Sequence, residues 1–295
     1  MKNIIRLHFV FIFSNVFIFI FQSPSNILAQ FAPGSRQVAL SHSDVAMAND
    51  VYSIFNNPAG SAQINWREAG VYYSPSPFGL KQLANASAAY LEPTSLGTFS
   101  VGFITYGFEL YRENKFALSF SKRFFHKFFL GLTFQYQNLS IKNYGNSSAI
   151  NLLLGGLVYL ENDLRLGFAA TNLLRSTYGN ENDQIPVTYA SGISYDLFNE
   201  VTLNLSLQKD LNFPFAVHAG IEYLPIKFLS LRFGISTDPS SFSGGIGINY
   251  SFLHLDYAFN QNPDLGISHQ FGIILSFHQA KNRLTAIKDY LFPNM

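Results

Sequence analysis

No cysteine occurs in the 295 residues, which excludes both a disulfide framework and a lipidated cysteine behind a leader. Charge is nearly as scarce. Lys, Arg, Asp and Glu together make up 13% of the chain and almost cancel, at +1. A chain without a basic field cannot displace phosphate counterions, so nucleic acid is excluded as a partner. Also missing are composition breaks and Pro/Ser linkers that would divide the chain, which therefore reads as one large domain. There is no nucleophile elbow, no clustered His/Glu metal spacing and no glycine-rich phosphate loop, so neither catalysis nor a cofactor or metal is expected. Ser268-His269 comes nearest to a nucleophile and base, but the sequence offers it no acidic orienter and no oxyanion hole.

What the chain has instead is aromatic and aliphatic side chains at every second position. With 31 Phe and 16 Tyr, it combines few charges with many aromatics, a mixture that needs an apolar environment over its surface. Val201, Leu203, Leu205 and Leu207 alternate with Thr202, Asn204, Ser206 and Gln208; Leu229, Leu231, Phe233 and Ile235 alternate with Ser230, Arg232 and Gly234. This period of two marks strands with one apolar and one polar face. It predicts fourteen strands, at 66–74, 83–91, 97–106, 114–122, 127–139, 149–160, 163–171, 186–196, 201–209, 214–224, 228–237, 243–251, 253–260 and 268–277.

In water, an alternating sheet needs a second layer over its apolar face, and no amphipathic helices lie between these strands to supply one. An even number of roughly ten-residue strands, with aromatics near their ends, fits an all-β, up-and-down transmembrane barrel with lipid as its partner, rather than a sandwich. Connection parity agrees. The longest loop, 172–185, follows the seventh strand, whereas 161–162, 197–200 and 225–227 are short and follow even strands.

Residues 1–29 carry Lys2 and Arg6, an apolar run from Phe9 to Phe21 and a small-residue end at Ala29, the layout of a cleavable signal peptide for export to a bacterial outer membrane. Residues 30–64 break the strand pattern. They have small residues, two candidate helical turns (Val38 to Leu40, Val45 to Ala48) and a closing Asn56-Asn57-Pro58-Ala59-Gly60 turn, and read as a plug in the lumen of a barrel spanning 65–277. The last strand presents Phe271, Ile273, Leu275 and Phe277 on one face. Beyond it, 278–295 places Leu284, Ile287 and Leu291 at helical spacing, an amphipathic tail expected over the barrel mouth.

Polar residues that alternation turns inward are the candidates for function, because buried ionisable groups must pair or meet water. They are His218, Glu222, Arg232, His254 and Asp256, with Pro225 to Lys227 as a short turn bringing Glu222 toward Arg232. In the plug, Arg36 and Asp50 are expected to pair, and Asn57-Pro58 is expected to close the plug against the first strand, as a joint or a gate.

The runs Ser35-Arg36-Gln37-Val38-Ala39-Leu40, Val45-Ala46-Met47-Ala48-Asn49-Asp50 and Ile54-Phe55-Asn56-Asn57-Pro58-Ala59-Gly60 resemble the N-terminal signature of the PorV/PorQ family of outer-membrane barrels, which is related to FadL-type transporters. Asn57-Pro58-Ala59 is similar to the Asn-Pro-Ala motif of the FadL-type N-terminal hatch, and Ala169 to Leu173 to a further recurring feature. Where such families show a glycine pair, this chain has Ser41-His42-Ser43. The resemblance implies one of two roles. One is passage of a hydrophobic ligand through a gap in the wall opened by hatch movement; the other is a shuttle or anchor in type IX secretion, with secretion-system subunits as partners.

Overall fold

The structure, a computed structural model, describes residues 32–125, 127–179, 183–211, 213–277 and 282–293; the expected signal peptide lies outside them. Fourteen antiparallel strands form a closed barrel. In chain order they are β1 (Arg67–Ser74), β2 (Asn85–Pro93), β3 (Thr98–Phe108), β4 (Tyr111–Phe124), β5 (Phe128–Ile141), β6 (Gly145–Glu161), β7 (Leu164–Thr171), β10 (Thr188–Asp196), β11 (Val201–Asp210), β12 (Phe215–Ile226), β13 (Leu229–Thr237), β14 (Ser240–Tyr250), β15 (Leu253–Asn262) and β16 (Gly266–Phe277). The intervening β8 (Thr177–Tyr178) and β9 (Asp183–Gln184) form a small hairpin in the loop after β7. Each barrel strand pairs with its chain neighbour, and β1 closes on β16 from Arg67↔Phe277 to Tyr73↔Phe271.

Alternation sets the two faces. Phe99, Val101 and Phe103 are 45, 42 and 43% exposed while the intervening Ser100 is 3% exposed, so the apolar side chains point outward and the small polar ones into the lumen. Such an outer face requires hydrocarbon around it, and closure leaves no strand edge unpaired there. The connections after even-ranked strands, such as 162–163 and 251–252, are short, whereas 75–84 and 172–187 follow odd-ranked strands. The even connections, the start of β1 and the end of β16 share one mouth, called here the terminal mouth. Asn172, the asparagine of the Ala169 to Leu173 run, organises the long loop: its amide donates to the Ile185 carbonyl (2.7 Å) and its side-chain oxygen accepts from Ser176 N–H (2.9 Å).

The lumen is filled. Helix α1 (Ser35–Ala39), a turn at Asp44–Ala48, helix α2 (Ser53–Asn56) and a 3-10 turn (Pro58–Gln63) line up inside the barrel, almost wholly buried. They fit because ten strands turn a glycine toward them: Gly70, Gly102, Gly131, Gly155, Gly167, Gly192, Gly220, Gly234, Gly245 and Gly272. A β-carbon at Gly131 would lie 2.4 Å from the Pro58 carbonyl carbon, and one at Gly167 2.4 Å from the Val45 oxygen. Real side chains do not approach so closely, so the segment rests on bare wall backbone. On β4 and β15 the fully buried Ala117 and Ala258 take the same role.

The tail forms helix α3 (Arg283–Leu291), capped by the Asn282 side chain accepting from Leu284 N–H at 2.9 Å. Ile287 and Leu291 are buried in one apolar core with Val51, Tyr52 and Ile54 of the lumenal segment and Trp66, Phe129, Leu157 and Tyr159 of the wall. The spacing of 284, 287 and 291 made the helix legible; its depth of packing was not.

Candidate functional site

The inward ionisable residues meet the lumenal segment in one buried chain of ion pairs. The Arg36 guanidinium donates to both carboxylate oxygens of Glu222, at 2.9 and 2.6 Å, and to Asp50 at 3.2 Å. Its remaining capacity goes to Asn49 Oδ1 (2.6 Å) and the Met47 thioether (3.5 Å). Glu222 also accepts from Arg232 Nε (2.7 Å), and Arg232 Nη1 donates to Asp256 (2.5 Å). Asp50 in turn accepts from the Gln37 amide at 3.0 and 2.8 Å and from Tyr52 N–H at 3.0 Å.

The wall supplies these groups by register: Glu222 is paired with Arg232 across β12 and β13, and Asp256 lies opposite Gly247, where any side chain would strike the Arg232–Asp256 pair. Burial opposes the Arg36 charge, but Glu222 and Asp50 overcome it and raise the Arg36 pKa above its ordinary value. The lumenal segment is thus pinned to the wall through groups that are costly to separate, since removing one partner strands a buried charge.

Five of the sequence candidates, Arg36, Asp50, Glu222, Arg232 and Asp256, are therefore contiguous. Two are not. His218 meets the Ser41 carbonyl oxygen through Nδ1 (2.8 Å), and His254 meets the Asn249 side-chain oxygen (2.6 Å). Both are lumenal, and these two contacts lie beside the ion-pair chain. Ser268 and His269 fall on opposite faces of the wall: Ser268 is buried inside, and His269 is exposed outside, with its Nδ1 2.8 Å from the Tyr257 hydroxyl. They cannot act on one substrate.

The Asn57 turn corrects an expectation. It closes against β5 and β6, not against the first strand. Asn57 Nδ2 donates to the Val45 carbonyl (2.7 Å) and to the wall carbonyl of Gly156 (3.1 Å), while its oxygen accepts from Ala59 N–H (3.2 Å) and caps the 3-10 turn. The physical reason is space. Gly131 and Gly155 leave room for Pro58 and Ala59, and Gly60 packs on the Ala48 carbonyl. The next residue, Gly156, faces lipid, and a β-carbon there would meet nothing closer than Leu130 Cδ2 at 3.9 Å. Beside Asn57 and Pro58 the wall therefore presents bare backbone to the lumen at Gly131 and Gly155, and at Gly156 it carries no side chain on the lipid face, where Leu130 is the cross-strand neighbour.

A cavity of about 810 Å³ opens at the terminal mouth, bounded by Arg36, Met47, Asn49 and Asp50 of the lumenal segment, by Glu222, Arg232, His254 and Asp256 of the wall, and by Asn282 to Thr285 at the start of α3. Sequence reasoning missed two further buried anchors of the lumen. Glu68, fully buried, accepts from Trp66 Nε1 (2.7 Å), Ser276 Oγ (2.8 Å) and Val51 N–H (3.0 Å). Arg165, also fully buried, pairs with Asp196 at 2.7 Å and donates to Ser194 Oγ at 3.0 Å. Strand parity would have found Glu68 and Arg165, since both are ionisable residues on inward positions; nothing local marks Asn49.

No family model matches the chain, and no curated protein matches it in sequence. Solved structures share its fold. The CymD monoaromatic hydrocarbon channel superposes with a TM-score of 0.65 at 12% identity, over 86% of this chain and 100% of that one. The Pseudomonas putida toluene transporter TodX gives 0.59 at 12%, over 87% and 98%. A Pseudomonas aeruginosa FadL homologue gives 0.57 at 13%, over 83% and 97%. The chain has the fold of FadL-like barrels; of these three neighbours, one is a hydrocarbon channel and one a toluene transporter.

Proposed function

We propose that this barrel passes hydrophobic small molecules across the outer membrane, with residues 30–64 as a hatch and the solute leaving sideways into lipid between β5 and β6. The observation that carries this reading is the pairing of a filled lumen with a wall that meets Asn57 and Pro58 through glycine backbone at Gly131 and Gly155 and thins to backbone at Gly156 on the lipid face. A straight aqueous path would require the buried ion pairs around Arg36 to separate. A sideways path needs the Asn57 to Gly156 contact to yield and the β5–β6 ladder to part locally around Gly131↔Gly155, and it ends in hydrocarbon, so it selects apolar solutes. The hydrocarbon channels that share the fold support the same class of cargo. The alternative of an anchor in type IX secretion has less footing, because apart from 172–187 and 75–84 the loops at the outer mouth are four residues or fewer and offer little platform for a large partner.

Two substitutions test the route. Gly156→Phe places a ring on the lipid face where space is open, so assembly, read as heat-modifiable gel migration, should be unchanged. Uptake of a radiolabelled hydrocarbon such as toluene should fall, because the ring stands across the exit. Asn57→Ala with Pro58→Ala should alter uptake in an equally well-assembled barrel. Normal uptake by both variants would refute the sideways route.

A further inference from the structure

The C-terminal helix makes contacts that a loose cover over a barrel mouth has no need of. Arg283 Nη1 lies 2.6 Å from Glu68 Oε1 and donates to the Asn49 carbonyl at 2.9 Å. One guanidinium thus bridges the barrel seam, where β1 meets β16, and the lumenal segment. Glu68 itself holds Val51 N–H of that segment. At the helix's other end, Lys288 Nζ reaches Asp163 in the β6–β7 turn (2.6 Å) and Asp196 at the end of β10 (3.1 Å). Between these posts, Ile287 and Leu291 bury beside Val51, Tyr52 and Ile54, and Phe292 stands edge-on to Tyr159 with ring centroids 5.4 Å apart. The helix therefore spans the mouth from the seam to the opposite wall, with the lumenal segment directly beneath it. The 810 Å³ cavity opens where Asn282 to Thr285 and Asn49–Asp50 face one another, leaving free volume next to the part of the segment that the strap restrains.

We propose that α3 is a strap that locks the hatch from the periplasmic side, so that the hatch shifts into the cavity only after Arg283 and Lys288 release their carboxylates and the Ile287–Leu291 face lifts. This rests on residues 30–64 acting as a hatch, and it adds that the C-terminus controls it. It also accounts for a chain that continues past its last strand: α3 contributes Ile287 and Leu291 to the apolar core that the hatch shares.

The absence of native cysteine gives a direct test in the full-length protein. Ser53→Cys puts a single thiol on α2, at a site 1% exposed. With the strap intact, a membrane-impermeant maleimide should label it only when the barrel is unfolded. Ile287→Asp with Leu291→Asp, and separately Arg283→Gln with Lys288→Gln, should speed labelling at least tenfold in barrels that still migrate as folded. If the aspartate pair fails to assemble, the glutamine pair, which removes only the ion pairs, decides the question. Labelling unaffected by a strap change in a folded barrel overturns the proposal. Hydrocarbon uptake by the same variants separates the two readings: faster labelling with unchanged uptake keeps the strap and discards the passage function.

Discussion

At the residue scale, the lumenal segment holds several groups under strain or at an unfavourable protonation state. Ser41 and His42 have φ of 50° and 57°, in the left-handed region that disfavours side chains by roughly 1–2 kcal/mol per residue. A glycine pair, as the resembling families have there, would adopt it freely. Burial, with His218 alongside, also lowers the His42 pKa to about 4. Its folded value lies below the ordinary 6.5, so the stabilisation by its neutral form is complete above pH 6.5 and is lost as pH falls toward 4. Asp44 runs the other way. Burial first, then Asp50, push it from 3.8 up to about 6, so its contribution is complete below pH 3.8 and gone above pH 6. His42→Gly should therefore raise the unfolding midpoint and flatten its fall between pH 6.5 and 4. Asp44→Asn should stabilise by up to about 3 kcal/mol at pH 7.5 and by nothing below pH 4. Thermal unfolding followed by gel migration across pH 3.5 to 8 measures both.

At the scale of elements, the glycine contacts make a sharp prediction. Gly131→Val forces a side chain into the Pro58–Ala59 backbone and should cost roughly 1–3 kcal/mol, the usual penalty of overpacking, whereas Gly156→Val, one strand over and facing lipid, should be neutral. Denaturant midpoints of the two variants decide it. All fourteen barrel strands were legible from alternation alone, because a wall that is apolar outside and polar inside writes its period directly into the sequence. The Arg36–Asp50 and Glu222–Arg232 pairs were legible too, the second because a short turn fixes the register. The interior of the lumenal segment was not. Helix α2 and the 3-10 turn at Pro58 are too short to show periodicity, and they fit because distant glycines make room for them, Gly102 of β3 for Phe55 and Gly131 and Gly155 of β5 and β6 for Pro58 and Ala59. The same long-range dependence hid the seat of the Asn57 turn: local sequence marks a turn but not the strand it rests on.

At the scale of the whole molecule, three sets of contacts from distant parts of the chain converge on the terminal mouth: the seam between β1 and β16, the N-terminal segment and α3. Glu68 joins all three. The fit of the lumenal segment has a consequence for assembly. Seam partners such as Arg67 and Phe277 lie some 200 residues apart, and contacts so remote in sequence form late. A segment seated on ten bare glycine positions and roofed by α3 enters a shut cylinder only by threading past its own contacts, whereas an open sheet receives it directly. The favoured order is therefore strands laid down around their own contents, as staves are raised around a form. A barrel synthesised without residues 30–64 should fail to capture that peptide when it is supplied later, while the same peptide present during refolding should be incorporated, an outcome that co-purification would record.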